Sequence, residues 1–230
     1  MSKQQKGTPA EDNFENVESA LSKTEHFIEE NQNKLSIIAL AIIVIVGGYW
    51  GLKKFYFLPL ENEAQAQVFY AQQYFEQDSF KLALNGDGIN PGFEEIMDEF
   101  GSTKAGKLSG YYAGIAHLQM GDFEEAVSYL KGFSSSEINI NATATGALGD
   151  AYAELGETDK AMSQYKKAAS IDNELTAPVY LMKLALMHET AGNYAEAVAS
   201  YTVIKEKYKS SSEARQIDKY LTRAQLKQGK

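Results

Sequence analysis

Hydropathy changes character twice along the chain. Residues 1–34 are mostly polar, Leu35 to Leu52 carry no charge, and from about residue 60 onward apolar positions return at spacings of three and four. The uncharged run, LSIIALAIIVIVGGYWGL, lies between Lys34 and the pair Lys53 and Lys54. Eighteen residues at a rise of about 1.5 Å make a helix of roughly 27 Å, near the ~30 Å hydrocarbon core of a bilayer. A lone segment in lipid must pair its backbone internally, so the run is expected to be a helix. Tyr49 and Trp50 stand near one end, where amphipathic rings favour the membrane interface. A buried core helix is the competing reading.

The polar tail is expected to be disordered over Met1 to Asn13. Phe14, Val17, Leu21, Thr24 and Ile28 then mark one narrow apolar face of a helix from about Glu11 to Asn31. Three readings stay open for it: a partner-binding helix, a helix on the membrane surface, and a solvated helix leading into the span. The tail carries four Lys against seven Asp and Glu, which argues against binding anionic lipid. A cleavable leader has a basic start and a small-residue cleavage site; here the start is acidic and Lys53-Lys54-Phe55 follows, so the run reads as an uncleaved anchor over residues 35–57.

Beyond the anchor, Pro59 is expected to end the membrane helix and Asn62 to cap the next, from about Glu63 to Asp78. FKLALNGDGINP, Phe80 to Pro91, holds three turn dipeptides and reads as a loop. A short helix follows, about Gly92 to Phe100. From there the chain repeats itself. Gly121, Gly156 and Gly192 each end a helical pattern, 35 and 36 residues apart. Five residues after each stands Ala126, Ala161 or Ala197, and four later a large residue, Leu130, Tyr165 or Tyr201. Seven before each Gly is a small residue, Gly114, Gly149 or Ala185, and four before it a ring, His117, Tyr152 or His188.

These positions resemble the tetratricopeptide repeat. The resemblance covers about residues 105–208 and implies a helical solenoid over residues 60–230; with the apolar run before it, the expected fold is all-α, one N-terminal transmembrane helix followed by that solenoid. Repeats fall at about 105–133, 140–173 and 176–208, with a capping helix at 211–228. Each unit is implied to be two antiparallel helices, brought close by the small residue of the first and the Ala of the second, with neighbours stacking because one pair cannot bury its apolar face. The first repeat departs from the pattern at Gly110 and Phe133, and Asn173 stands where a Pro is common. The helices before residue 100 are expected to form a degenerate fourth pair. Ala214, Ile217, Leu221 and Ala224 make the apolar face of the cap, and Arg215, Lys219, Arg223 and Lys227 its polar face.

In such repeats the first helix of each pair lines a concave groove. That places Leu108, Tyr111, Ile115, Leu118, Asp150, Ala153, Leu181, Leu186 and Glu189 as groove candidates, apolar at first and acidic later. Such a surface suits extended or helical peptide segments. Burial of Leu108, Ile115 and Leu118 under the N-terminal helices is the competing reading.

Composition removes other chemistries. The net charge is −9, with no basic stripe for nucleic acid. There is no Cys, and His26, His117 and His188 are scattered, so no metal or other cofactor is expected. The serine runs at 134–136 and 210–212 lack a nucleophile-elbow setting, and no catalytic residues are expected. Asn85-Gly86-Asp87-Gly88 lacks the ligand series of a calcium loop. Gly47 and Gly51 make a weak small-residue contact motif, and Asn141-Ala142-Thr143 a formal glycosylation sequon.

The layout of a short tail, an anchor near residue 40 and a repeat domain is similar to the bacterial YfgM family. That resemblance implies an ancillary subunit of the SecYEG translocon, working with the periplasmic chaperone PpiD. It also implies a single-pass inner-membrane protein with a cytoplasmic N-terminus and a periplasmic repeat domain. Charge alone leaves the orientation open, with Lys23 and Lys34 on one side and Lys53 and Lys54 on the other. Three functional classes follow: an adaptor assisting translocation or folding, a scaffold for another envelope assembly such as cell division or outer-membrane biogenesis, and an enzyme with an unrecognised site.

Overall fold

A computed structural model describes the backbone of residues 9–229 and side chains from Leu21 onward. The described residues are helical, turn or loop, with no strand among them. The chain divides into two compact units, Met1–Pro59 and Leu60–Lys230.

The first unit is one helix, α1, over Pro9–Leu52, followed by a π-helical turn at Lys53–Phe57. Residues 9–13 are already helical, where Met1 to Asn13 was expected to be disordered; residues 1–8 lie outside the described residues, as do the side chains of Phe14 and Val17. The tail helix and the apolar helix are continuous. No Gly or Pro interrupts residues 10–46. Ile37, Ile42, Ile45, Trp50 and the apolar residues between them are all exposed, and the helix is long and apolar enough to cross a membrane.

Pro59 does not end the helical path. α2 runs Leu58–Glu76 with Pro59 in its first turn, a position where proline is tolerated. Leu58 donates its N–H to Lys53 O, five residues back, the bond of a π turn. Asn62 therefore lies inside α2 and caps nothing.

The second unit continues with α3 (Phe80–Asn85), α4 (Phe93–Phe100), α5 (Lys104–Met120), α6 (Phe123–Leu130), α7 (Ile138–Glu154), α8 (Thr158–Ser170), α9 (Ala177–Thr190), α10 (Tyr194–Lys207), a 3₁₀ turn (Glu213–Gln216) and α11 (Ile217–Gln228). The expected loop over Phe80–Pro91 is half helix, because Ala83 and Leu84 bury against Phe93 and Ile96. Three helices, not a pair, thus precede the repeats, and they share a core with α5 through Val68, Phe93, Phe100 and Ala113. Glu61 of α2 accepts from the free N–H of Lys104 at 2.6 Å, and Thr103 Oγ1 accepts from Gly106 N at 2.9 Å, so the start of α5 is capped from two sides.

α5/α6, α7/α8 and α9/α10 are the three antiparallel pairs. Each turns on a left-handed glycine, Gly121 (φ 85°), Gly156 (φ 73°) or Gly192 (φ 79°). In each turn the carbonyl of the ring position accepts from the residue after the glycine: Asp122 N to His117 O at 2.9 Å, Glu157 N to Tyr152 O at 2.8 Å, Asn193 N to His188 O at 2.8 Å. This is the helix-ending motif that only a residue without Cβ adopts freely. A Cβ on Gly114 would lie 2.7 Å from Leu130 Cγ, and one on Gly149 would lie 2.7 Å from Tyr165 Cε1. Small residues therefore set the approach within these two pairs. Ala126, Ala161, Ala185 and Ala197 are fully buried.

Candidate functional site

The site is built on the side where α5, α7 and α9 approach one another. Leu118, Gln119 and Met120 from the end of α5, Phe123 from α6, Asp150, Ala153 and Glu154 from α7, Tyr165 from α8 and Lys183 from α9 line a hollow of about 550 Å³. Three of the nine groove candidates, Leu118, Asp150 and Ala153, come together here. Tyr111 and Ile115 are half-buried and pack on the middle core with Leu118, and Tyr111 tilts against Phe133 at 5.3 Å.

The others lie elsewhere. Leu108 borders a separate hollow of about 280 Å³ beside Gln65, Val68 and Gln72 of α2. Leu181 packs on the C-terminal core with Tyr201 and Leu221, and Leu186 is 38% exposed. Glu189 is buried, and Arg223 of α11 donates to it at 2.9 Å. It therefore belongs to the contact with the capping helix, and Arg223 turns inward rather than joining an outer polar face. The groove pattern had no term for a helix beyond the last repeat.

In the lining of the hollow, Lys183 Nζ lies 2.6 and 2.8 Å from the carboxylate oxygens of Asp150, and the Tyr165 hydroxyl donates to Asp150 at 2.7 Å. Lys183 also lies 5.7 Å from the Tyr165 ring centre and 5.9 Å from that of Tyr180. Burial, then the hydrogen bond to Asp150, pushes the Tyr165 phenol far up. Burial and the Asp150 charge push Tyr180 up to about 12. The phenols stay protonated, and the Lys183 ammonium is matched by the Asp150 carboxylate. Leu118, Met120, Phe123 and Ala153 share the lining with Gln119, Glu154 and this charged group, so the hollow presents apolar and polar surface side by side. Lys183 and Tyr165 were absent from the candidates, yet Lys183 stands 33 residues after Asp150, about one repeat period, with opposite charge. That spacing was the available signal.

Other residues singled out by the sequence are held in structural contacts. The His117 ring nitrogens lie 3.0 Å from Glu94 and 3.5 Å from Asp122, with the ring stacked on Tyr129 at 5.3 Å. Asp87 accepts from Asn90 N at 2.7 Å, Ile89 N at 2.8 Å and Tyr74 Oη at 2.8 Å, closing its own turn. Those donors, the Asn90 backbone first, hold its carboxyl well below the usual range. Asn141 sits in the first turn of α7 and is half-buried. Among the described residues no cluster of three or more His, Asp or Glu could hold a metal ion.

Residues 111–175 and 180–211 match tetratricopeptide-repeat models. A crystal structure of nearly identical TPR-like repeats from a Podosopora anserina kinesin light chain is similar in fold, with a TM-score of 0.54 at 16% identity, over 74% of this chain and 88% of that one. At that identity the likeness is one of fold alone. No curated protein matches the chain.

Proposed function

We propose that this tetratricopeptide-repeat chain is a membrane-anchored adaptor that binds other proteins and assists translocation or folding at a bacterial inner membrane. The repeats make the second unit a protein-interaction scaffold. The observation that carries the finer reading is the bare apolar helix of the first unit, exposed along Ile37 to Leu52, in the same chain as a repeat unit with an open hollow. An apolar surface of that extent needs a covering phase, and its length suits a bilayer. The N-terminus is proposed to be cytoplasmic and the repeats periplasmic, on the resemblance to the YfgM family.

Partner segments are proposed to dock where Leu118, Asp150 and Ala153 meet. A segment with an apolar residue for Leu118 and Ala153 and a hydrogen-bonding group for Asp150 or Lys183 has the matching chemistry.

Co-purification of the intact protein from detergent-solubilised membranes is the direct test. Recovery of translocon subunits or a periplasmic chaperone, lost in Leu118→Asp, supports the reading. Recovery of division or outer-membrane assembly proteins selects the scaffold reading instead. Protease added to spheroplasts should remove the repeat unit; its protection would reverse the orientation.

A further inference from the structure

The apolar run does not stop at its flanking charges. Past Lys53 and Lys54 the chain continues Phe55, Tyr56, Phe57 and Leu58, and from Lys34 to Leu60 there is no Asp or Glu. Every one of these flanking residues is open: Trp50 is 64%, Phe55 78% and Tyr56 59% exposed. The turn is π-helical, so it holds one residue more than an α turn, and five consecutive residues of ring and ammonium encircle the axis. The result is a collar rather than a stripe.

Among the described residues neither lysine has an acidic partner. Every ion pair among the described residues lies elsewhere. Lys54 Nζ instead lies 5.5 Å from the Trp50 ring centre and 5.9 Å from that of Phe55, an arrangement that steers an ammonium without neutralising it. Tyr56 and Phe57 meet edge-on at 5.2 Å. Rings at the end of an apolar span sit at headgroup depth, and lysine stems there reach outward to the polar layer. Two cations at that depth, in an acid-free segment, complement phosphate.

We propose that Lys53 and Lys54, the latter set over Trp50 and Phe55, form a site for the phosphate of anionic phospholipid headgroups. The site fixes the depth of the helix and selects the lipids around it. This rests on the reading that α1 spans a membrane.

Trp50 is the only tryptophan in the chain, so its fluorescence reports from the site itself. The intact protein is reconstituted into phosphatidylcholine vesicles. Quenching of Trp50 is then compared between phosphatidylglycerol and phosphatidylcholine brominated at the same chain position. The expected result is a roughly fivefold preference for the anionic lipid per lysine engaged, falling with added salt and vanishing in Lys53→Gln/Lys54→Gln. Equal quenching by both lipids, or a preference that survives the double substitution, overturns the lipid site while leaving the span intact. Water-like emission with no quenching by either lipid overturns the span, and the site with it.

Discussion

Lys183 of α9 and Asp150 of α7 form a two-point ion pair, 2.6 and 2.8 Å, that joins two neighbouring repeats through their first helices. The same carboxylate accepts the Tyr165 hydroxyl of α8 at 2.7 Å, so one residue ties three helices together.

Asp150→Ala is expected to destabilise the repeat unit by about 2 kcal/mol, since a phenol and an ammonium lose their acceptor together. Lys183→Met removes one partly exposed cation and should cost only about 0.5–1 kcal/mol. Urea unfolding of both single variants and the double measures the coupling, which should be non-zero because the residues touch. Additive effects would mean that the pair contributes nothing of its own.

Gly149→Ala should lose about 1–3 kcal/mol by overpacking, although alanine is the better helix former by about 1 kcal/mol. Its Cβ would lie 2.7 Å from a Tyr165 ring that Asp150 holds in place. Gly146→Ala should be worse, as its Cβ would fall 1.9 Å from Tyr180 Cε1. Gly156→Ala has open space but a φ of 73°, so its cost should be the backbone one alone, about 1–2 kcal/mol. Thermal melts of the three variants test this ranking.

Arg223→Ala strands the buried Glu189 carboxylate. Losing one partner of a buried pair costs about 3–5 kcal/mol, and here about 2–3 is expected because Arg223 itself is 40% exposed. Adding Glu189→Gln should restore part of the loss. Hydrogen exchange should speed up first in α11, the helix that Arg223 secures.

Asp87 gives the loop at residues 86–92 a pH dependence. Its carboxyl is depressed in the folded protein, so its contribution is present above the ordinary value of 3.8 and is lost as pH falls through the lower, folded value. The Tyr74 hydroxyl bound to it is pushed up by the same hydrogen bond. In strong acid the Ile89 and Asn90 amides should lose protection before those of the repeats. Asp87→Asn should show the loosened loop already at neutral pH, read by amide exchange.

How much of this could be read beforehand depended on period. Gly121, Gly156 and Gly192 recur three times, and the turns they make are the same to within a few tenths of an ångström, so the pairs were legible from spacing. Leu35 to Leu52 was legible from length alone. α3 was not: its six residues are too few for a helical pattern, and the turn dipeptides after it dominated the window. Pro59 misled because proline is a breaker inside a helix but harmless in a first turn. Within the site, apolar periodicity found Leu118 and Ala153 but is blind to charge, which is why Asp150 was named without Lys183. Glu189 failed differently, since its partner Arg223 comes from outside the repeat.

The repeat stack is covered at both of its ends. α2, α3 and α4 pack on α5 through Val68, Leu84, Phe93 and Phe100 at one end, and α11 buries Ile217, Leu221 and Ala224 over the last pair at the other. In polymer terms both ends carry chain stoppers: a further repeat, or a second molecule seeking to stack end to end, would have to displace a docked helix first. Open-ended stacking, the route by which solenoid repeats would grow into filaments, is thereby opposed at each end.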